Sequence, residues 1–194
     1  MADAYTFALS AAQVLWVLTP AYVANAFATL PRRRGPPMDF GRTWPWDGRR
    51  ILGPSKTWSG FLFGTFAALP VGLFMAYLIL IAPPDLAIVP EFAASVVAAI
   101  PVILLLTGGA LLGDALGSFA KRRLNMESGR RVLLLDQLPF VAVPILLGAL
   151  FYPALFVPVF FTLAGLFWVL VFTLGLHTLF NWLGYRMGTK SVPW

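Results

Sequence analysis

The sequence predicts an all-α, polytopic membrane protein with five transmembrane helices, its N-terminus outside and its C-terminus cytoplasmic. Three observations predict it. Hydrophobic residues make up 59% of the 194 residues and charged residues only 11%, where soluble domains carry about 25% charged. Mean hydropathy is +0.81, and several apolar stretches exceed the roughly 18 residues that span hydrocarbon. All 14 Lys and Arg fall in alternate loops: seven within 32–56, five within 121–131 and two in the tail. The other side carries only Asp3, Asp85 and Glu91. Basic loops stay in the cytoplasm, which sets the orientation. Four or six crossings would break the segregation.

Span one covers residues 5–30, with no basic residue before it and a basic run after it, the reverse of a signal peptide. A loop over about 31–56 follows, with Arg32, Arg33, Arg34, Arg42, Arg49 and Arg50, the acids Asp39 and Asp47, and several Gly and Pro. It is too polar to span and too irregular for a long helix. Span two runs from Lys56-Thr57 to Ile81, and a turn at Pro83-Pro84-Asp85 leads to Glu91. Span three covers 92–119, with Pro101 expected to kink it. A polar segment over about 120–131 precedes span four at 132–151. Tyr152-Pro153 reverses the chain into span five, which ends near Leu183. The whole chain, 1–194, reads as one integral-membrane domain.

The net charge of +6 follows from this topology and from attraction to anionic lipid head groups. Nucleic acid is not an expected partner, because no stacking platform or recognised module accompanies the charge. Cysteine is absent, which excludes disulfides and thiolate metal sites. The sole histidine, His177, with Asn181 four residues on, reads as a hydrogen bond between helices. A homodimer is compatible with the sequence.

Chemistry concentrates at the end of span three. Asp114, Ser118, Lys121, Arg122 and Asn125 fall on one helical face. Gly109, Gly113 and Gly117 form an adjacent ladder that reads as close helix packing. Asp136 lies one turn inside span four, with Gln137 beside it. A carboxylate in an apolar run is costly and asks for a reason. Two carboxylates on adjacent helices, ringed by Lys121, Arg122, Arg123, Arg130 and Arg131, suit Mg²⁺ with a polyphosphate. An ion pathway fits them as well: the alternative reading is a small ion or anion transporter with Asp114 and Asp136 as its relay. Ser55-Lys56-Thr57 at the start of span two adds a helix N-terminus with a cation and hydroxyl donors, which favours phosphate.

These motifs resemble the membrane cytidylyltransferases that make CDP-linked lipids. Lys56-Thr57-Trp58-Ser59-Gly60 is similar to that superfamily's Lys-Thr-x-x-Gly entry motif, and Gly113-Asp114 with Ser118 and Lys121-Arg122 to the first half of its signature. Leu135-Asp136-Gln137 stands where the signature ends in Asp-Arg. The loop Asp39-Phe40-Gly41 with Asp47-Gly48-Arg49, and the Lys-Arg-Arg run, resemble the shorter archaeal branch, the CDP-archaeol synthases. Pro139 departs from the branch, which leads one to expect an acid there, and Glu127-Ser128 departs from the Lys-Asp of the diacylglycerol enzymes.

The resemblance implies a Mg²⁺-dependent reaction of CTP with a prenyl-ether lipid phosphate at the cytoplasmic face of the cell membrane, giving a CDP-lipid and pyrophosphate. It implies Lys56, Asp114, Lys121 and Asp136 as catalytic residues, with Asp114 and Asp136 on the metal. Ser55, Lys56, Thr57, Ser118, Lys121, Arg122 and Gln137 would bind CTP or lipid phosphate. Asp39 and Asp47 would order the loop or contact the ribose.

Overall fold

The computed structural model describes residues 2–31, 35–83, 88–126 and 132–186. Among them the order is α1 (Ala2–Phe27), α2 (Trp58–Ala67), α3 (Leu69–Ile81), α4 (Ile100–Arg123), α5 (Leu133–Phe151), α6 (Pro153–Phe160) and α7 (Leu163–Arg186). No strand occurs among the described residues, only isolated bridges in the loop before α2. Three stretches are long and apolar enough to cross a membrane: Asp3–Phe27, Trp58–Ile81 and Ile100–Arg123. The bent α6–α7 pair makes a fourth if it is one span, and the described apolar part of α5, Leu135–Phe151, is shorter.

Lipid tails are as apolar as leucine, so helices in a bilayer associate through close packing rather than hydrophobic exclusion. Two seams use small residues for this. Along α4, Gly109, Gly113 and Gly117 face α5: a Cβ at these positions would stand 3.1 Å from Pro144 Cα, 2.0 Å from the Pro139 carbonyl oxygen and 2.3 Å from the Leu135 carbonyl oxygen. The α4–α5 seam is therefore backbone against backbone. Gly60 and Gly64 of α2 meet the Ala28 and Ala24 carbonyls in the same way. Around these seams Val14, Val17, Leu18, Ile103, Leu106 and Phe156 form the fully buried core. Tyr22 of α1 crosses it to share a hydrogen bond of 3.0 Å with Thr173 of α7.

The structure departs from the sequence reading in three places. Residues 92–99 are irregular, and the third long helix begins at Ile100. Pro101 therefore sits in the first turn, where its missing N–H costs nothing, and produces no kink. Trp58–Ile81 breaks at Ala68 because Pro70 opens a new helix. Finally, the stretch after Tyr152-Pro153 divides into α6 and α7, bent by 82°. Thr162 causes this break as an N-cap, its hydroxyl accepting from Gly165 N at 2.9 Å. The side chains of His177 and Asn181, like Arg32, Arg33, Arg34, Asp85, Glu127, Arg130, Arg131 and the tail, lie outside the described residues.

Candidate functional site

Two carboxylate–lysine pairs tie together the loop before α2, the last turns of α4 and the first turn of α5. Lys56 Nζ pairs with Asp114 Oδ2, and Lys121 Nζ pairs with Asp136 Oδ1. Each pair joins separate elements: loop to α4, and α4 to α5. The side chains are 14–30% exposed, so both pairs are half-withdrawn from water. Asp136 Oδ2 also accepts from Val132 N at 3.0 Å, which caps α5 and fixes the carboxylate. Ser118 lies buried on α4 between the levels of Asp114 and Lys121, and Gln137 is buried on α5.

Lys56 is delivered by a loop whose shape its own acids set. Asp39 Oδ1 accepts from Gly41 N at 2.9 Å, across a turn in which Phe40 and Gly41 have φ of 49° and 77°. Asp47 Oδ1 accepts from Arg49 N at 3.0 Å across Gly48, whose φ is 64°. Both are side-chain-closed turns of the kind Asp favours. Asp39 further holds Arg50 at 3.0 and 3.2 Å and Leu52 N at 2.9 Å. Burial raises its pKa, but Arg50 and the two amides outweigh that and hold the carboxyl below its ordinary value. Met38 N donates to Lys56 O at 2.8 Å, tying the loop's two ends together.

Each residue expected from the sequence has a definite environment. Ser55 is exposed beside Lys56. Thr57 is buried and caps α2, accepting from Gly60 N at 3.2 Å, while Trp58 N donates to Pro36 O at 3.1 Å. Two amides at this helix start are thus engaged within the protein, so the cation Lys56 rather than the open helix end is its main feature. Arg122 donates to Met126 O at 2.6 Å, and its Nε is buried without a partner among the described residues. Asp39 and Asp47 act on the loop itself: one holds Arg50, the other Arg123 at 2.7 Å. Sequence reasoning missed Arg50, which has no short-range signal. It also grouped Arg123 with the site cations, although nine residues from Asp114 is about half a turn off that face.

The donor set is oxygen-rich and small. Among the described residues no group of three or more His, Asp or Glu side chains could hold a metal. Two carboxylates suit a hard cation that keeps its waters and is completed by substrate phosphates, as Mg²⁺ usually is. A caged metal is not what they suit.

A family model described as CarS-like, CDP-archaeol synthase, matches residues 7–194. The chain is 42% identical over 180 residues to a CDP-archaeol synthase of Thermococcus gammatolerans, covering 93% of this chain and 94% of that one. A CDP-archaeol synthase of Archaeoglobus fulgidus is 36% identical over 190 residues, with 94% and 97% covered. Among solved structures, one described as an intramembrane enzyme for archaeal membrane lipid biosynthesis is 33% identical, with a TM-score of 0.57 over 84% of this chain and 91% of that one.

Proposed function

This chain belongs to the CarS-like, CDP-archaeol synthase family, a CTP-dependent nucleotidyltransferase of archaeal lipid biosynthesis, and from that premise we propose how it works: Mg²⁺-dependent transfer of a cytidylyl group from CTP to an unsaturated prenyl-ether lipid phosphate. The observation that supports this site is the pairing of Lys56 with Asp114 and Lys121 with Asp136 across three elements. At rest each carboxylate is neutralised by a lysine. With nucleotide and metal bound, Lys56 and Lys121 would turn from carboxylate to phosphate and leave Asp114 and Asp136 to hold the metal, so that no charge would be stranded.

Asp114 and Asp136 would hold Mg²⁺. When bound, it would reduce the repulsion between two anionic substrates and stabilise the departing pyrophosphate. Lys56, Lys121 and Arg122 would lie against the triphosphate, and Ser118 would donate to a phosphate oxygen. A lipid phosphate oxygen then attacks the α-phosphorus in line; the new P–O bond forms as the bond to the β-phosphate's bridging oxygen breaks, and pyrophosphate leaves. The attacking phosphate is already ionised near neutral pH, so the chain supplies no general base. Ser55 and Gln137 would border the nucleotide, and Thr57 would act by starting α2 where Lys56 needs it.

The charge segregation and the stretches α1, α2–α3, α4, α5 and α6–α7 support five crossings, an outside N-terminus and a site at the cytoplasmic face of the cell membrane. There a soluble nucleotide and a membrane lipid both have access. The test is purified protein in detergent with labelled CTP, Mg²⁺ and geranylgeranyl-ether lipid phosphate. Release of pyrophosphate with formation of the CDP-lipid is expected. No release with any lipid phosphate offered would overturn the reading.

A further inference from the structure

The run Lys121-Arg122-Arg123 looks like one phosphate-binding cluster, but α4 divides it. Lys121 and Arg122 lie near the Asp114 face, whereas Arg123 is about half a turn away. Its side chain is 19% exposed and is spent on the loop. One terminal nitrogen donates to Asp47 Oδ1 at 2.7 Å, and the other donates to Arg50 O at 2.6 Å and Arg49 O at 3.3 Å. In return Arg49 donates to Arg123 O at 3.1 Å. The guanidinium also stacks over Trp44 at 5.6 Å and Phe119 at 5.1 Å, and those two rings meet edge to face at 5.2 Å.

The consequence runs along the loop. Arg123 grips the hairpin at residues 44–50, and Arg50 in turn holds Asp39, which closes the turn beside Met38. Met38 is bonded to Lys56 O, and the Lys56 side chain reaches back to Asp114. The loop is thus attached to α4 at both ends of a nine-residue interval, by its tip on the rear face and by Lys56 on the site face. We propose that Arg123 is a positioning residue for catalysis: with Asp47 and Trp44 it clamps the loop to the end of α4, and so sets the place of Lys56 against Asp114. It does not touch the nucleotide. Lysine cannot replace it, because only a planar fork serves a carboxylate and two carbonyls while lying against two rings that touch each other.

The inference rests on the proposed cytidylyl transfer, and the unmodified protein in the same assay separates the two: its turnover tests the reaction, the variants test the clamp. Arg123→Lys, Arg123→Met and Asp47→Asn are compared for kcat/KM with CTP, for KM with lipid phosphate, for melting temperature and for trypsin cleavage after Arg42 and Arg49. The clamp predicts that all three lower kcat/KM for CTP by about tenfold or more, raise loop cleavage, and leave the lipid KM within twofold. Near-normal Arg123→Lys and Asp47→Asn beside an inactive Arg123→Met would mean that charge alone matters and that Arg123 binds phosphate. Lower melting temperatures with unchanged kcat/KM would reduce Arg123 to a stabilising contact. Either result overturns the proposal.

Discussion

Lys56→Met tests the core of the site most directly. The substitution keeps an unbranched side chain one atom shorter and leaves Asp114 half-withdrawn from water without a counter-charge. With side chains 22% and 30% exposed, the pair lies between two regimes. An exposed pair contributes about 0–1 kcal/mol, whereas breaking a fully buried one costs about 3–5 kcal/mol. A loss of about 1–2 kcal/mol is therefore expected, which at roughly 2–4 °C per kcal/mol for a chain of this size lowers the melting temperature by about 2–8 °C. Asp114→Asn should cost less, because an orphaned lysine on its long, flexible stem extends to water more readily than the short carboxylate does. The double variant should melt above Lys56→Met, since it removes the stranded charge.

Turnover should move differently. Losing one charge-assisted phosphate contact of about 1.5–3 kcal/mol lowers kcat/KM for CTP by about 10- to 150-fold. The double variant should stay inactive although its stability recovers. Thermal unfolding in detergent and labelled pyrophosphate release measure the two quantities on the same preparations. A double variant that melts at the sum of the two single losses would refute the coupling. A Lys56→Met protein turning over at the normal rate would remove Lys56 from the site.

Asp114→Asn and Asp136→Asn should each abolish turnover while secondary structure by circular dichroism is retained, and chelation of divalent ions should do so reversibly on the unmodified protein. Gly113→Ala should destabilise by about 1–3 kcal/mol, because its Cβ would stand 2.0 Å from a carbonyl oxygen; Gly175→Ala, with nothing within 4 Å, should be neutral or stabilising by up to about 1 kcal/mol. The depressed carboxyl of Asp39 contributes stability that is complete above its unfolded value and is lost as pH falls below about 4. Asp39→Asn should flatten the acid limb of a melting-temperature profile. In the cysteine-free background, Arg42→Cys should react with an impermeant thiol reagent only from the cytoplasmic side.

Much of the helical layout was legible because it is written locally. The polar segments that follow α1 and α4 and precede α5, and the four-residue glycine spacing on α4, need no knowledge of partners. The register of Asp114, Ser118 and Lys121 follows from one helix. What was not legible depends on contacts distant in the chain. Nothing near Lys56 says that it pairs with Asp114 rather than lying free, and Asp39 finds Arg50 only because the hairpin folds back on itself. The sequence leaves the acids at 39 and 47 between ordering the loop and contacting the ribose, since an acid's role as a turn-closer shows only once its oxygen is seen on an amide two residues on. Two misreadings had signals available. Thr162 is a residue type that favours a helix start, and the nine-residue offset of Arg123 marks the rear of the helix.

The glycine seam between α4 and α5 bears on how the enzyme moves. Three glycines on one helix are seated against the backbone and proline rings of the other, with no side chain of their own between. Such a contact resists sliding, because a shift of less than a full turn would drive a neighbouring side chain into a carbonyl. Asp114 and Asp136 are therefore mounted on a rigid pair of helices and cannot be brought together or drawn apart by shear. The compliance that substrate entry and product departure require must come from the Lys56 side of the site, where only one hairpin and its fastenings have to yield.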